Sequence, residues 1–145
     1  FAYANQAAHR YGKSLVLYNN AFSDTAGWVR NSTAINVGES DDPNLVQRSL
    51  GEALGLSAEP GVFYGLWELR RRAWLVRSGS ELCEQGVFAT LGAYEALVFM
   101  DFREIHDTDG RVARLAAELS GGWVEDLEAA LDRHAPQVEE PSKEF

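Results

Sequence analysis

The chain has 145 residues, 46% of them hydrophobic and 24% charged, a composition typical of one globular domain. Its net charge of −9 disfavours nucleic acid as a partner, and no apolar run reaches the ~20 residues of a membrane span, so we expect no membrane partner either. The single cysteine, Cys83, excludes an internal disulfide, and with no visible signal peptide it slightly favours the cytoplasm without fixing the compartment.

The first part of the chain predicts short β-strands. Residues 1–8 are mildly apolar, and "LVLYNNAF" at 15–22 carries apolar side chains on both faces. Between them, "HRYGKS" at 9–14 predicts a turn. The β-branched residues of "GWVRNSTAINVG" at 27–38 favour one or two further strands.

A helix of about three turns is predicted at 41–57, where the β pattern stops. Asp42 can cap it, Pro43 suits its first position and Gly55 can end it. Apolar residues recur every four positions, at Val46, Leu50 and Leu54.

Two strands, "GVFYGLWEL" at 61–69 and "AWLVRSG" at 73–79, flank three arginines at 70–72 and predict a hairpin. The polar stretch "SGSELCEQG" at 78–86 predicts one helical turn. This part of the chain therefore continues the pattern of short, sequentially adjacent strands.

The segment "GVFATLGAYEALVFMDFREI" at 86–105 predicts two strands that meet at a corner near Gly92. The second strand is apolar on both faces from Ala96 to Phe102, and such a strand is covered on both sides. We expect a facing sheet to cover one side of 96–100 and the C-terminal helices to cover the other.

After a turn at Asp109-Gly110, the apolar period becomes helical and predicts two short amphipathic helices at about 110–134. Residues 135–145 lack an apolar period and are predicted to be a flexible tail. The prediction is a mainly β fold: one antiparallel, Greek-key-like β-sandwich domain at 1–134, with one inserted helix and the two C-terminal helices.

Two stretches, "KSLVLYNNAFSDTAGWVR" and "VRSGSELCEQGVFATLGAYEALVFMDFREI", resemble the C-terminal β-domain (domain C) of the α-amylase superfamily, glycoside hydrolase family 13. In that family the domain follows a catalytic (β/α)8 barrel. The corner and the apolar run of its last strands are matched here by Leu91, Tyr94, Val98, Phe99 and Met100. The resemblance covers about residues 1–105 and implies an antiparallel β-sandwich.

The catalytic motifs of that family do not occur in this sequence. The resemblance therefore implies a non-catalytic accessory domain that packs against and stabilises its own upstream barrel, and Phe1 in place of Met suggests a fragment of a longer chain. The parent chain would be a glycoside hydrolase or transglycosidase. The alternative function is a stand-alone β-sandwich module that binds carbohydrate or protein.

No residues suggest catalysis, a metal site or a cofactor. Glu81 and Glu84 share a short helical turn without apolar shielding, and Cys83 has no evident base. The sequence "DTDG" at 107–110 lacks the later oxygen ligands of a calcium loop and predicts a turn before a helix.

Two sets of residues are candidates for binding. Trp67, Trp74 and Arg71 could form a platform for an α-glucan, since sugar rings stack on aromatic rings. Residues 1–80 hold 8 Lys and Arg against 7 Asp and Glu, whereas residues 81–145 hold 5 against 15. Because charge is depleted at interface cores, we expect the docking face in the nearly neutral first part. Its candidate anchors are Tyr3, Phe22 and Trp28, through which the isolated domain would also form a weak homodimer.

Overall fold

The computed structural model describes residues 2–6, 13–31, 35–36 and 38–136. A five-stranded antiparallel sheet forms the centre of this part. In spatial order its strands are β1 (Ala2–Gln6), β2 (Lys13–Tyr18), β9 (Ala96–His106), β6 (Val62–Glu68) and β7 (Ala73–Ser78).

Two smaller antiparallel pairs complete the strands. Strand β3 (Thr25–Val29) pairs with β8 (Val87–Leu91), and we call this pair the β3–β8 ribbon. Strand β4 (Ile35–Asn36) pairs with β5 (Leu45–Val46). The buried side of the ribbon packs into the same core as the large sheet. The prediction of a mainly β, antiparallel, sandwich-like fold is confirmed.

Two short helices are inserted between the strands, and the first is shorter than predicted. Helix α1 (Leu50–Leu54) begins at Ser49, whose hydroxyl accepts a hydrogen bond from the Glu52 amide. The three-turn helix expected at 41–57 is therefore wrong at its start, because Leu45 and Val46 pair with β4 instead. Its predicted end is confirmed, since Gly55 closes it with a left-handed φ of 63°. Helix α2 (Gly79–Glu84) matches the predicted turn and is capped by Ser78.

The two predicted C-terminal helices are present as α3 (Arg111–Leu119) and α4 (Leu127–Arg133). The Asp107 carboxylate accepts hydrogen bonds from the amides of Val112 and Ala113 in the first turn of α3. The acidic segment before α3 therefore provides hydrogen-bond acceptors for backbone amides in the first turn of the helix. This agrees with the predicted turn and helix start.

The large sheet has a core on each face. On one face, α1, α2 and the ribbon cover apolar side chains of β2, β6 and β9, among them Leu17, Leu66 and Phe99. On the other face, α3 and α4 pack on β6, β7 and the end of β9, around the buried Val76, Leu115 and Leu127. No described residue of α3 or α4 belongs to the core on the first face.

This arrangement corrects the expectation that residues 96–100 are covered on both sides. Leu97 and Phe99 are buried, but Val98 is only half-buried and Met100 is 49% exposed. The C-terminal helices lie over β6, β7 and the end of β9 instead, so among the described residues the second face of 96–100 has no such cover.

Within the described residues, no helix is long and apolar enough to cross a membrane. The predicted turn at 9–14 and the predicted tail at 135–145 lie mostly outside the described residues.

Candidate docking surface

Four exposed aromatic side chains form two contacting pairs on and beside the β3–β8 ribbon. Phe22 is 89% exposed, Trp28 56%, Phe88 43% and Tyr94 47%. Exposed apolar contacts of this kind mark interaction sites when they belong to a large apolar patch. We call these four residues the aromatic strip.

The first pair belongs to the ribbon itself. Trp28 of β3 lies directly opposite Phe88 of β8, with ring centroids 5.3 Å apart in an edge-to-face arrangement. Val87 and Ala89, on either side of Phe88 in β8, are buried because side chains alternate between the two faces of a strand. The buried face fixes the ribbon to the core, so the aromatic face points outward.

The second pair joins the loop after β2 to the turn before β9. The rings of Phe22 and Tyr94 meet at 83° with centroids 5.2 Å apart, and the Tyr94 amide donates to the Ala21 carbonyl. The buried Asn19 fixes both segments, since its side-chain amide donates to the carbonyls of Ser23 at 2.8 Å and Gly92 at 2.9 Å.

Tyr94 also has a left-handed φ of 55°, a conformation that most non-glycine residues avoid. Because the ring of Tyr94 is exposed, burial within the domain does little to offset the free-energy cost of this conformation. Among the described non-glycine residues, Arg72 and Ser120 share this conformation, so the exposure of Tyr94, more than its backbone, makes it a candidate for an interaction.

Of the three predicted docking residues, the strip contains the two whose side chains the structure describes. Phe22 and Trp28 are exposed, as docking requires, although their docking role stays a prediction. The backbone of Tyr3 pairs with Val16 in the sheet, and its side chain lies outside the described residues. Sequence reasoning missed Phe88 and Tyr94. The alternation of Phe88 with Val87 and Ala89 along a predicted strand was the signal that could have identified Phe88.

The predicted carbohydrate platform is not assembled as one patch. Trp67 and Trp74 are cross-strand neighbours with centroids 5.2 Å apart, but both are half-buried and their planes are tilted by 55°. Arg71 lies over the ring of Trp123, 4.9 Å from its centroid, and that ring stacks on the buried Phe99. The geometry does not supply the exposed coplanar rings that the prediction requires.

The strongest titratable cluster is structural. The hydroxyl of the fully buried Tyr64 accepts a hydrogen bond from the Ser57 amide at 2.8 Å and donates to Glu104 at 2.9 Å. Burial raises the pKa of Tyr64 to about 12, and the hydrogen bond from Tyr64 lowers the pKa of the Glu104 carboxyl. Tyr64 therefore remains a neutral donor that joins the segment at Ser57 to β9.

The other titratable candidates show no sign of catalytic activation. Glu81 and Glu84 are exposed on α2, and burial raises the pKa of the Cys83 thiol, which disfavours the reactive thiolate. No group of His, Cys, Asp or Glu within the described residues has the geometry to hold a metal ion.

Comparisons with protein-family models, curated proteins and solved structures give no match to this chain.

Proposed function

We propose that this chain is a non-catalytic accessory domain that docks through the aromatic strip onto the catalytic domain of a carbohydrate-active enzyme. The exposure of the strip is the observation that carries the proposal. Aromatic residues are the type that is enriched at interface cores, and these four rings are exposed to solvent.

The kind of partner rests on the sequence resemblance to domain C of the α-amylase superfamily. The resemblance predicts a (β/α)8 barrel upstream of this chain. The barrel would pack against the strip and be stabilised by this contact. The antiparallel sandwich is compatible with such a domain, but many functions share this architecture, so the fold alone does not identify the partner.

The first experiment asks whether the chain is itself an enzyme. The isolated chain is incubated with starch, maltooligosaccharides and aryl glucosides, and we expect no hydrolysis or transfer. Turnover that disappears in Glu84→Gln or Glu104→Gln would overturn the proposal, because the chain would then carry its own catalytic carboxylate.

The second experiment tests docking in a longer protein that contains the upstream barrel, as the proposal predicts. We expect the double variant Phe88→Ser/Tyr94→Ser to lower the thermal midpoint of the upstream domain, because the substitutions remove two aromatic contacts from the interface. The matched control is Leu69→Ser, which replaces a side chain that is 51% exposed outside the strip. Equal midpoints for the wild type, the strip variant and the control would contradict docking through the strip, as would an upstream sequence without a barrel.

A further inference from the structure

The outer edge of β3 is an unprotected strand edge. One edge of β3 pairs with β8, and the other pairs with no strand in the part of the chain that the structure describes. Its residues, "TAGWV", include no charge and no proline, which are the devices that usually keep edge strands from pairing. The edge of β7 is covered at Trp74, whose amide and carbonyl bond to Val124 at 2.7 and 3.0 Å. Just after β3, Asn31 forms a bridge with Ser49 and the Arg30 carbonyl accepts a hydrogen bond from the Leu50 amide at 2.6 Å, so the free edge is that of Thr25–Val29.

A groove of about 690 Å³ lies beside β3. It is lined by residues 25–31, by Ala2 and residues 17–21, and by the buried Ala89 and Leu91 of β8. At the middle of β3, a side-chain carbon placed on Gly27 would meet no atom within 4 Å. Residues 25–28 are all exposed, as pairing of β3 with another extended strand requires.

Charges at the two ends of β3 indicate which strand would fit. Asp24 precedes β3 and Arg30 follows it, and neither has an ion-pair partner among the described residues. If a second β3 lies antiparallel with the two Gly27 residues opposite each other, Asp24 of each copy lies opposite Arg30 of the other. Opposite charges in facing positions stabilise an antiparallel pair, and the two-fold symmetry provides the contact twice.

The same register also suits the remaining side chains. Small Ala26 lies opposite large Trp28 of the second copy, and Thr25 lies opposite Val29, a pair of β-branched residues. We propose that two copies of this chain associate through antiparallel pairing of their β3 strands, which joins the two ribbons into one four-stranded sheet. The main-chain hydrogen bonds hold the pair, and the Asp24–Arg30 contacts fix its register.

Charge reversal tests this register directly. Sedimentation equilibrium is measured for the wild type, Asp24→Arg, Arg30→Asp and the double variant, with circular dichroism to confirm that each is folded. We expect the wild type to dimerise and each single variant to dimerise about tenfold more weakly or worse, because both contacts become repulsive. The double variant restores both contacts and should dimerise like the wild type.

A mixture of the two single variants provides a second measurement. Asp24→Arg carries Arg at both positions and Arg30→Asp carries Asp at both, so a 1:1 mixture should form heterodimers more tightly than either variant forms homodimers. A monomeric wild type at millimolar concentration, or single variants that dimerise as the wild type does, would overturn the proposal. The proposal would also be overturned if the mixture of single variants formed no tighter heterodimers, or if the double variant dimerised as weakly as the single variants.

The result is separable from docking through the aromatic strip. Tyr94→Ser leaves β3 and both of its flanking charges intact, so it should dimerise like the wild type. If Tyr94→Ser abolishes dimerisation whereas the charge reversals do not, the copies associate through the strip and the pairing of β3 is wrong.

Discussion

At the scale of single residues, the buried Glu68 is the least expected feature. Its side chain is fully buried at the end of β6, where its carboxylate accepts hydrogen bonds from the amides of Arg71 and Val98, the latter at 2.9 Å. The register shifts at this position: Trp67 lies opposite Asp101 but Glu68 opposite Phe99, so Met100 is an extra residue in β9. Glu68 thus satisfies backbone donors of both the hairpin turn and the bulged strand.

We therefore expect Glu68→Ala to lower the free energy of unfolding by about 2–4 kcal/mol, since it leaves two amide donors without their charged acceptor. The measurement is equilibrium unfolding in urea followed by circular dichroism. Glu84→Ala is the control, because Glu84 is exposed on α2 and should change stability by less than about 0.5 kcal/mol. Equal effects of the two substitutions would show that Glu68 has no such role.

At the scale of elements, sequence periodicity predicted most strands because alternating burial is a local property. The strands at β6, β7 and β8 follow their apolar patterns closely, and the Gly55 stop of α1 was visible as well. The start of α1 could not be predicted, because the helix start that Asp42 and Pro43 favour is replaced by pairing of Leu45 and Val46 with the nearby β4. The bulge in β9 also escaped prediction, since it depends on the contact with Glu68.

The two faces of β9 give the second prediction. Phe99 is fully buried whereas its neighbour Val98 is half-buried on the face without helical cover. We expect Phe99→Ala to cost about 3–5 kcal/mol of unfolding free energy and Val98→Ala about 1 kcal/mol or less. Chemical denaturation of the two variants measures the difference. A larger loss for Val98→Ala would mean that a second layer covers this strand after all.

At the scale of the whole molecule, sequence reasoning predicted the layers but not which half of the sheet the helices cover. The helical period of 110–134 shows that α3 and α4 have an apolar face, but it contains no information on the strands that receive it. That choice depends on three-dimensional complementarity: Leu127 packs close to Gly65 of β6, where a side chain would be in the way. The aromatic strip was likewise only partly visible, because it combines residues from both halves of the chain.

The last prediction concerns what holds the helical layer to the sheet. Leu115 of α3 is fully buried in the second core, whereas Arg103 of β9 forms an exposed ion pair with Glu128 of α4. We expect Leu115→Ala to lower the free energy of unfolding by about 2–5 kcal/mol and Arg103→Gln by less than about 1 kcal/mol. Apolar burial is the stronger contribution, because solvent screens the exposed pair.

Thermal and urea unfolding followed by tryptophan fluorescence and by circular dichroism would measure both variants. The chain has four tryptophans, of which Trp74 packs against the helical layer, so part of the fluorescence change reports on that layer, while the far-ultraviolet signal reports on the whole chain. Because both cores share strands β6, β7 and β9, we expect the two signals to change together even in Leu115→Ala. An early fluorescence transition in that variant would instead show that α3 and α4 detach from a sheet that remains folded.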